Sequence, residues 1–262
     1  MGCVKLHILD EQYKNTELRV SYFNKELTLN NSAENPRRWT LVRFVDPTGK
    51  DVWQLDENGN IIQTITHDAD GNRLTYDRIE IHGGDGNVLG QTSDYALGTI
   101  THETVTVGKG DNAWSYDKFS VNGTDNASAI FQTVAENTGV EWSHSVFQES
   151  ATTGNYLITS HEKTVESGFN NFFGKQLDIG NPLVDHTHSH PYPMNIAIPS
   201  GVFPGQRGDI QFADYITNLA CKMTNTTPNF YLYVSKTGEV IPYSKDSNTT
   251  THKKYIDKYY GR

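Results

Sequence analysis

Three of the chain's ten histidines fall within five positions of the stretch "VDHTHSHPYP", at His186, His188 and His190. Imidazole is the commonest side-chain ligand for divalent metals, and its charge changes near neutral pH. If the stretch from Leu183 to His190 is a strand, successive side chains alternate faces. His186, His188 and His190 then form one imidazole row, with Asp185, Thr187 and Ser189 pointing the other way. Two rings at i and i+2 on such a face are close enough to hold one ion. Pro191 cannot donate to a ladder and ends regular pairing where ligands would turn into a cleft. A lone histidine reads as an ordinary surface residue; three in alternation point to metal chemistry.

Two imidazoles leave a divalent ion short of ligands. Asp209 is the candidate third, because it opens the helix that follows the next loop, and an ionised carboxylate is favoured at a helix N-terminus. Simple capping would also explain Asp209, and the two roles are compatible. Asp214 lies one turn later on a different face. Two histidines and one aspartate with a fourth position open to water make the catalytic kind of zinc site. Zinc would bring a bound water's pKa towards about 7 and polarise a carbonyl. That water still needs a base.

The elements that must position these groups can be read from turns and periodicity. The first forty residues are polar and end in an Asn, Pro and Arg cluster that reads as a linker, with little structure of its own expected. From Trp39 to about Val121, short apolar and β-branched runs alternate with "DPTG", "DENGN", "DADGN" and "GGDGN". Asp, Asn and Gly accept left-handed backbone angles, so these clusters predict turns and the runs predict an antiparallel β meander. "DADGN" does not have the glycine position or the bidentate Glu of an EF-hand. A helix is predicted through "NASAIFQTVAEN", capped by Asp125 or Asn126 and ended by Gly139. "VEWSHSVF", "NYLITSHEK" and "NPLVDHTHSH" read as strands. "SGFNNFFGKQL" is either a short helix or a covering loop. "PYPMNIAIPSGVFPGQRG" is a long loop, and "DIQFADYITNLACKM" is a helix with Ile210, Ala213, Ile216, Thr217 and Ala220 on one stripe. A hairpin of "FYLYVS" and "VIPYS" closes the fold, and the basic tail "HKKYIDKYYGR" reads as a solvated end.

Composition excludes some classes of function. A net charge of -9 without a basic stripe argues against a nucleic-acid binder that neutralises phosphates. No apolar run has the length of a membrane span, and the start is not that of a secretory signal. With only Cys3 and Cys221, no disulfide framework or thiol metal pair is expected.

"HTHSHP", a downstream Asp that starts a helix and an upstream Glu after a helix together resemble the JAMM motif of the JAB/MPN metallopeptidases. In that family a Glu is followed by His-x-His-Pro and then Ser-x-x-Asp. The resemblance implies zinc (Zn2+) bound by His188, His190 and Asp209. It also implies that Glu141 in "VEWS", on the strand after the helix and beside an exposed Trp142, is general base for the zinc-bound water. Glu149, Glu162 and Glu166 compete for that role. The family's oxyanion-stabilising Ser should stand three before Asp209, where this chain has Gln206. A Gln amide can donate to an oxyanion, and Ser200 in the loop is an alternative. The interval from His190 to Asp209 is longer than in the compact motif, so the intervening loop would shape the substrate cleft. His186 is additional to the motif, as a substitute ligand, a group behind the ligands or a proton shuttle.

A second resemblance covers the front of the chain. "ENPRRWTLVRFVDPTGKDVW" looks like the junction that ends the core of Rhs and YD-repeat proteins, and "DENGNIIQTITHDADGNRLTYD" is similar to a YD repeat. Together the two imply a JAB-like metallopeptidase toxin domain of a bacterial polymorphic toxin. Residues 1–50 would be an Rhs-like remnant or linker, 51–121 a β-rich segment and 122–262 the JAB-like metallohydrolase domain. The partners implied are a protein or peptide substrate and a cognate immunity protein, with no nucleic acid and no membrane. The protein would be made in a bacterial cytoplasm and exported by a dedicated system or delivered to a target cell.

The expected architecture is α+β: an N-terminal antiparallel β meander leading into a JAB/MPN-like mixed sheet flanked by helices. The leading function is zinc-dependent cleavage of an amide or isopeptide bond. One alternative keeps the metal as iron in a cupin-like His-x-His oxygenase. Another is a non-catalytic Rhs-derived recognition or carrier module. An open coordination position separates them, because structural zinc takes four protein ligands.

Overall fold

The computed structural model describes the backbone of Lys5–Ile8, Glu17–Tyr22 and Lys25–Asn30, and residues 51–150, 152–164, 167–191 and 197–261. The chain divides into two units, Met1–Phe44 and Val45–Arg262. In the first unit, β1 (Lys5–Ile8), β2 (Glu17–Tyr22) and β3 (Lys25–Asn30) form an antiparallel sheet in that order. Little structure was expected here. The sequence nevertheless has a strand's period of two, with Leu18 and Val20 alternating with polar residues, and likewise Leu27 and Leu29. Most of the stretch that resembles an Rhs core junction, residues 34–50, lies outside the described residues.

The second unit begins with a small sheet. It comprises β4 (Val52–Asp56), β5 (Ile61–Ile65), β6 (Tyr76–His82), β7 (Val88–Gln91) and β8 (Tyr95–Ala96). The strand order is β5-β4-β6-β7, with β8 also on β6. The Asp-rich turns form as their chemistry dictates: Asp56 Oδ1 accepts the amides of Asn58 and Asn60, each at 2.8 Å, and Asp68 Oδ1 accepts those of Asp70 and Asn72 at 3.0 and 2.8 Å. The antiparallel expectation holds for β4 with β5 and β6 with β7, whereas β4 and β6 pair parallel. Pairing of β4 with a strand some twenty residues downstream is a long-range choice that turn residues do not encode.

A seven-stranded mixed sheet follows. It is built from β9 (Ile100–Val107), β10 (Trp114–Val121), β11 (Ser143–Glu149), β12 (Thr152–Thr159), β13 (Leu183–His190), β14 (Asn229–Val234) and β15 (Glu239–Tyr243). Its order is β15-β14-β13-β11-β12-β10-β9, and only the β13–β14 pair is parallel among the described pairings of this sheet. Four helices flank it: α1 (Thr124–Asn137), α2 (Ser167–Asp178), α3 (Asp209–Thr224) and α4 (Lys253–Tyr260). The architecture is α+β with mixed sheets and flanking helices. A parallel pair needs a crossover, and the loop and α3 between β13 and β14 supply it.

Core packing sits on both faces of this sheet. On one, Tyr116, Phe147 and Ile158 meet Phe169, Phe172 and Phe173 of α2 and Ile210, Ala213, Ile216 and Ala220 of α3. On the other, Phe119, Leu157 and Trp142 meet Ile130, Phe131 and Val134 of α1 and Trp53, Leu55, Ile79 and Ile81 of the small sheet. Each fully buried side chain of this size stabilises the fold by roughly 1.5–3 kcal/mol.

Three local expectations are corrected. Gly123, at φ 90°, precedes α1 with no side-chain cap, and Asp125 lies in the first turn. Trp142 is fully buried, not exposed. The basic tail folds as α4, because Ile256 is buried and Tyr255, Tyr259 and Tyr260 pack against the α3-side core. Among the described residues, no helix is long and apolar enough to cross a membrane.

Candidate metal centre

Strand β13 lies between β11 and β14, so its backbone is paired on both edges. His186, His188 and His190 occupy alternate positions on it and all three are buried. Across the ladder Ser143 faces His188 on one side and Ile158 on the other. The histidine row therefore looks onto the face covered by α2 and α3.

His188 Nε2 and His190 Nε2 stand 3.3 Å apart. Asp209, the first residue of α3, brings Oδ1 to 3.3 Å from His188 Nε2 and Oδ2 to 3.4 Å from His190 Nε2. Two ligands on a tetrahedral zinc ion with bonds of about 2.0–2.1 Å are separated by about 3.3 Å, which is the spacing of the two imidazole nitrogens, while the Asp209 carboxylate turns a different oxygen toward each ring. A triad of His188, His190 and Asp209 that could hold a metal is thus present, with all ligand atoms within 4.8 Å of one another.

Asp209 is gripped by the preceding loop. Ser200 N donates to Asp209 Oδ2 at 2.7 Å, and Asp209 N donates to Ser200 Oγ at 2.9 Å. Gly208, not Asp209, is the N-cap residue. Burial works to raise the pKa of the Asp209 carboxyl, but the two imidazoles outweigh it and hold the group well below the usual carboxylate range. On the other side of His188, Tyr243 Oη lies 3.2 Å from Nδ1. Burial, together with the charges of Asp209 and Glu141, pushes the Tyr243 hydroxyl well above its ordinary pKa.

His186 stands apart from the triad. Its Nδ1 pairs with Ser145 Oγ at 3.0 Å, and its ring packs 4.0 Å from that of Phe169 and 5.3 Å from that of Phe212. Burial and the neighbouring His188 push its pKa well down, so it is a neutral member of the aromatic core.

Glu141 is buried, two residues ahead of β11 and not on the strand itself. Its amide donates to Glu162 O at 2.8 Å and its carbonyl accepts from Thr159 Oγ1 at 2.9 Å. The next residue, Trp142, bonds Ser189 twice, through Ser189 N to Trp142 O at 2.9 Å and Trp142 N to Ser189 Oγ at 3.0 Å. Continuing the Ser143–His188 register back by two places Glu141 in line with His190 and on its face. The influence of Glu141 on Tyr243, which touches His188, agrees with that placement. Among the competing carboxylates, Glu149 ends β11 and accepts from the Tyr156 hydroxyl, Glu162 is exposed, and Glu166 lies outside the described residues.

Gln206 sits exposed in a turn of the loop, its backbone N–H donating to Phe203 O at 3.2 Å. Ser200 is brought to the triad and Gln206 is not placed against it by any described contact. Sequence reasoning missed Tyr243, which lies in a hairpin that looks purely structural, and the reciprocal Ser200–Asp209 pair, whose partners are nine residues apart.

Residues 119–214 match the model of the family described as JAB-like toxin 1. The matched segment contains Glu141, the three histidines, Ser200 and Asp209. No curated protein and no solved structure matches the chain.

Proposed function

From the JAB-like toxin domain carried by residues 119–214, we infer a metal-dependent hydrolase that cuts an amide or isopeptide bond in a protein and acts as a toxin effector. The observation that carries this reading is the convergence of His188, His190 and Asp209, whose ligand atoms, one from each residue, lie within 4.8 Å of one another, with the two imidazole nitrogens 3.3 Å apart. Zinc suits that donor set, and when bound it would bring a water's pKa towards about 7 and polarise the scissile carbonyl. His188, His190 and Asp209 would hold it. Three protein ligands leave a position for substrate chemistry, whereas a structural site would need a fourth. Among the described residues, Cys221 is exposed and does not favour that alternative. A cupin-like oxygenase is disfavoured by architecture, since the histidines lie in a mixed sheet with flanking helices and not in an antiparallel jelly roll.

In this reading Glu141 takes the proton of the attacking water and returns it to the leaving amine. Its backbone is held from both sides, which fixes where the carboxylate can reach. Ser200 is the better placed oxyanion donor. Its Oγ accepts from Asp209 N, so its own hydrogen stays free to be donated, while Gln206 would have to swing in from solvent. The substrate is a protein or peptide. A toxin of this kind also calls for a cognate immunity protein in the producing bacterium and for delivery into a target cell.

Metal content by mass spectrometry tests the reading. The wild type should carry close to one zinc per chain, a His188→Ala/His190→Ala double variant should lose it, and Glu141→Gln should keep it while losing hydrolytic activity. A metal-free wild type, or metal retained without the two histidines, would remove the reading at its base, and stoichiometric iron would redirect it to oxygen chemistry.

A further inference from the structure

We propose that Tyr243 is a positioning residue of the metal centre, fixing the tautomer and aim of His188, so that the centre is completed from outside the matched segment. This rests on the metal-binding reading above. The Tyr243 hydroxyl is 3.2 Å from His188 Nδ1, and the two rings stand perpendicular, at 89° with centroids 5.7 Å apart. Tyr243 is only 6% exposed, so its hydroxyl draws little on bulk water.

The chemistry follows from the two nitrogens of the imidazole. His188 Nε2 is the atom that faces His190 and Asp209. A nitrogen that binds a metal must be unprotonated, so the ring proton belongs on Nδ1 and needs an acceptor there. Tyr243 Oη is that acceptor. Without it the other tautomer, with Nε2 protonated, gains weight and competes directly with the ion.

Tyr243 can do this because β15 is fixed in place. His188 is in register with Leu232 of β14, Leu232 with Ile241 of β15, and Tyr243 is two residues on from Ile241, hence on the same face. The preceding residue, Pro242, accepts a hydrogen bond from His252 Nε2 at 3.1 Å at the head of α4. At the other end of β15, Glu239 bonds Lys258 Nζ at 2.6 Å and the Tyr259 hydroxyl. Helix α4 thus clamps both ends of the strand that carries Tyr243, although both elements lie beyond residue 214, where the family match ends.

The test measures zinc affinity by competition with a chromophoric chelator, and the visible spectrum of the Co(II) form, for the wild type, Tyr243→Phe and Tyr233→Phe. The last is a control that removes a buried hydroxyl bonded to Glu136, on the opposite face of the sheet. Tyr243→Phe should bind zinc more weakly, on the order of 10–100-fold, and show an altered Co(II) spectrum, while Tyr233→Phe matches the wild type in both. Equal affinities for wild type and Tyr243→Phe overturn the proposal and leave the metal reading intact. A weaker affinity with an unchanged Co(II) spectrum also overturns it, because that is the mark of a packing role alone. A wild type that binds neither zinc nor cobalt overturns both.

Discussion

Gly208 precedes Asp209 with φ at 144°, and a Cβ there would stand 1.9 Å from Ser200 Oγ. The Ser200–Asp209 pair can close only because this position lacks a side chain. Gly208→Ala should therefore push Ser200 away and lower zinc affinity, at a cost of about 1–3 kcal/mol of backbone strain. Chelator competition and thermal unfolding would check both effects, and an unchanged affinity would mean Asp209 needs no support from the loop. His186 invites the opposite expectation. Its ring is packed among Phe169, Phe212 and Phe230, so His186→Phe should keep the wild-type metal stoichiometry. Loss of the ion in that variant would make His186 a ligand after all. The histidine row was legible because a strand's period of two is visible in any sequence. Asp209 was legible because it opens a helix. Tyr243 was not, since a tyrosine in a hairpin looks the same whether its hydroxyl meets water or an imidazole.

Element by element, strand β13 is backed by α2 and α3 through aromatic contacts. Phe169 of α2 meets His186, Phe173 and Phe212 with centroids at 4.0, 5.6 and 5.6 Å. Phe169 is 1% exposed, so truncation would open a cavity directly against the histidine row. Phe169→Ala should lower the unfolding free energy by about 3–5 kcal/mol in a urea titration. A loss below about 1 kcal/mol would mean that α2 is not what holds β13 in place. The sequence left α2 undecided for a physical reason. Phe169, Phe172 and Phe173 have helical spacing, but Gly168, Gly174, Asn170 and Asn171 are poor helix formers, and only tertiary packing decides between them. The same applies to α4, whose lysines mask an apolar stripe until β15 is there to receive it. Turns built on Asp and Asn were readable because their hydrogen bonds are local, whereas the parallel pairing of β4 with β6 depends on residues far apart in the chain.

Within the unit Val45–Arg262, a buried carboxylate links the seven-stranded sheet to the turn between β4 and β5. Asp117 accepts from His102 Nε2 at 2.9 Å, His161 Nε2 at 3.1 Å and Thr104 Oγ1 at 2.6 Å. His161 Nδ1 lies 3.3 Å from Asn58 O in that turn, and His161 holds a left-handed φ of 61° to make the reach. His102 and Thr104 share β9 and face Asp117 across the β9–β10 hairpin, but nothing in the sequence joins them to His161, which comes from the loop after β12. Burial works to raise the pKa of the Asp117 carboxyl, but the hydrogen bonds from His102, His161 and Thr104 prevail and hold it well below its ordinary 3.8. For His161 burial works downward, and Asp117 prevails and raises it above 6.5. The depressed carboxyl contributes stability that is present above 3.8 and lost as pH falls through its folded value. The raised imidazole contributes stability that is complete below 6.5 and lost as pH rises through its folded value. Both contributions are therefore complete only between those two ordinary values, and the share of the melting temperature that depends on Asp117 should be largest there. Asp117→Asn removes the charge that couples them. It should cost about 3–5 kcal/mol inside the window and less on either side, so that the difference in melting temperature from the wild type peaks there. A variant that melts lower by the same amount at every pH would show that Asp117 acts as a hydrogen-bond acceptor alone, with no charge coupling between the sheet and the turn it holds.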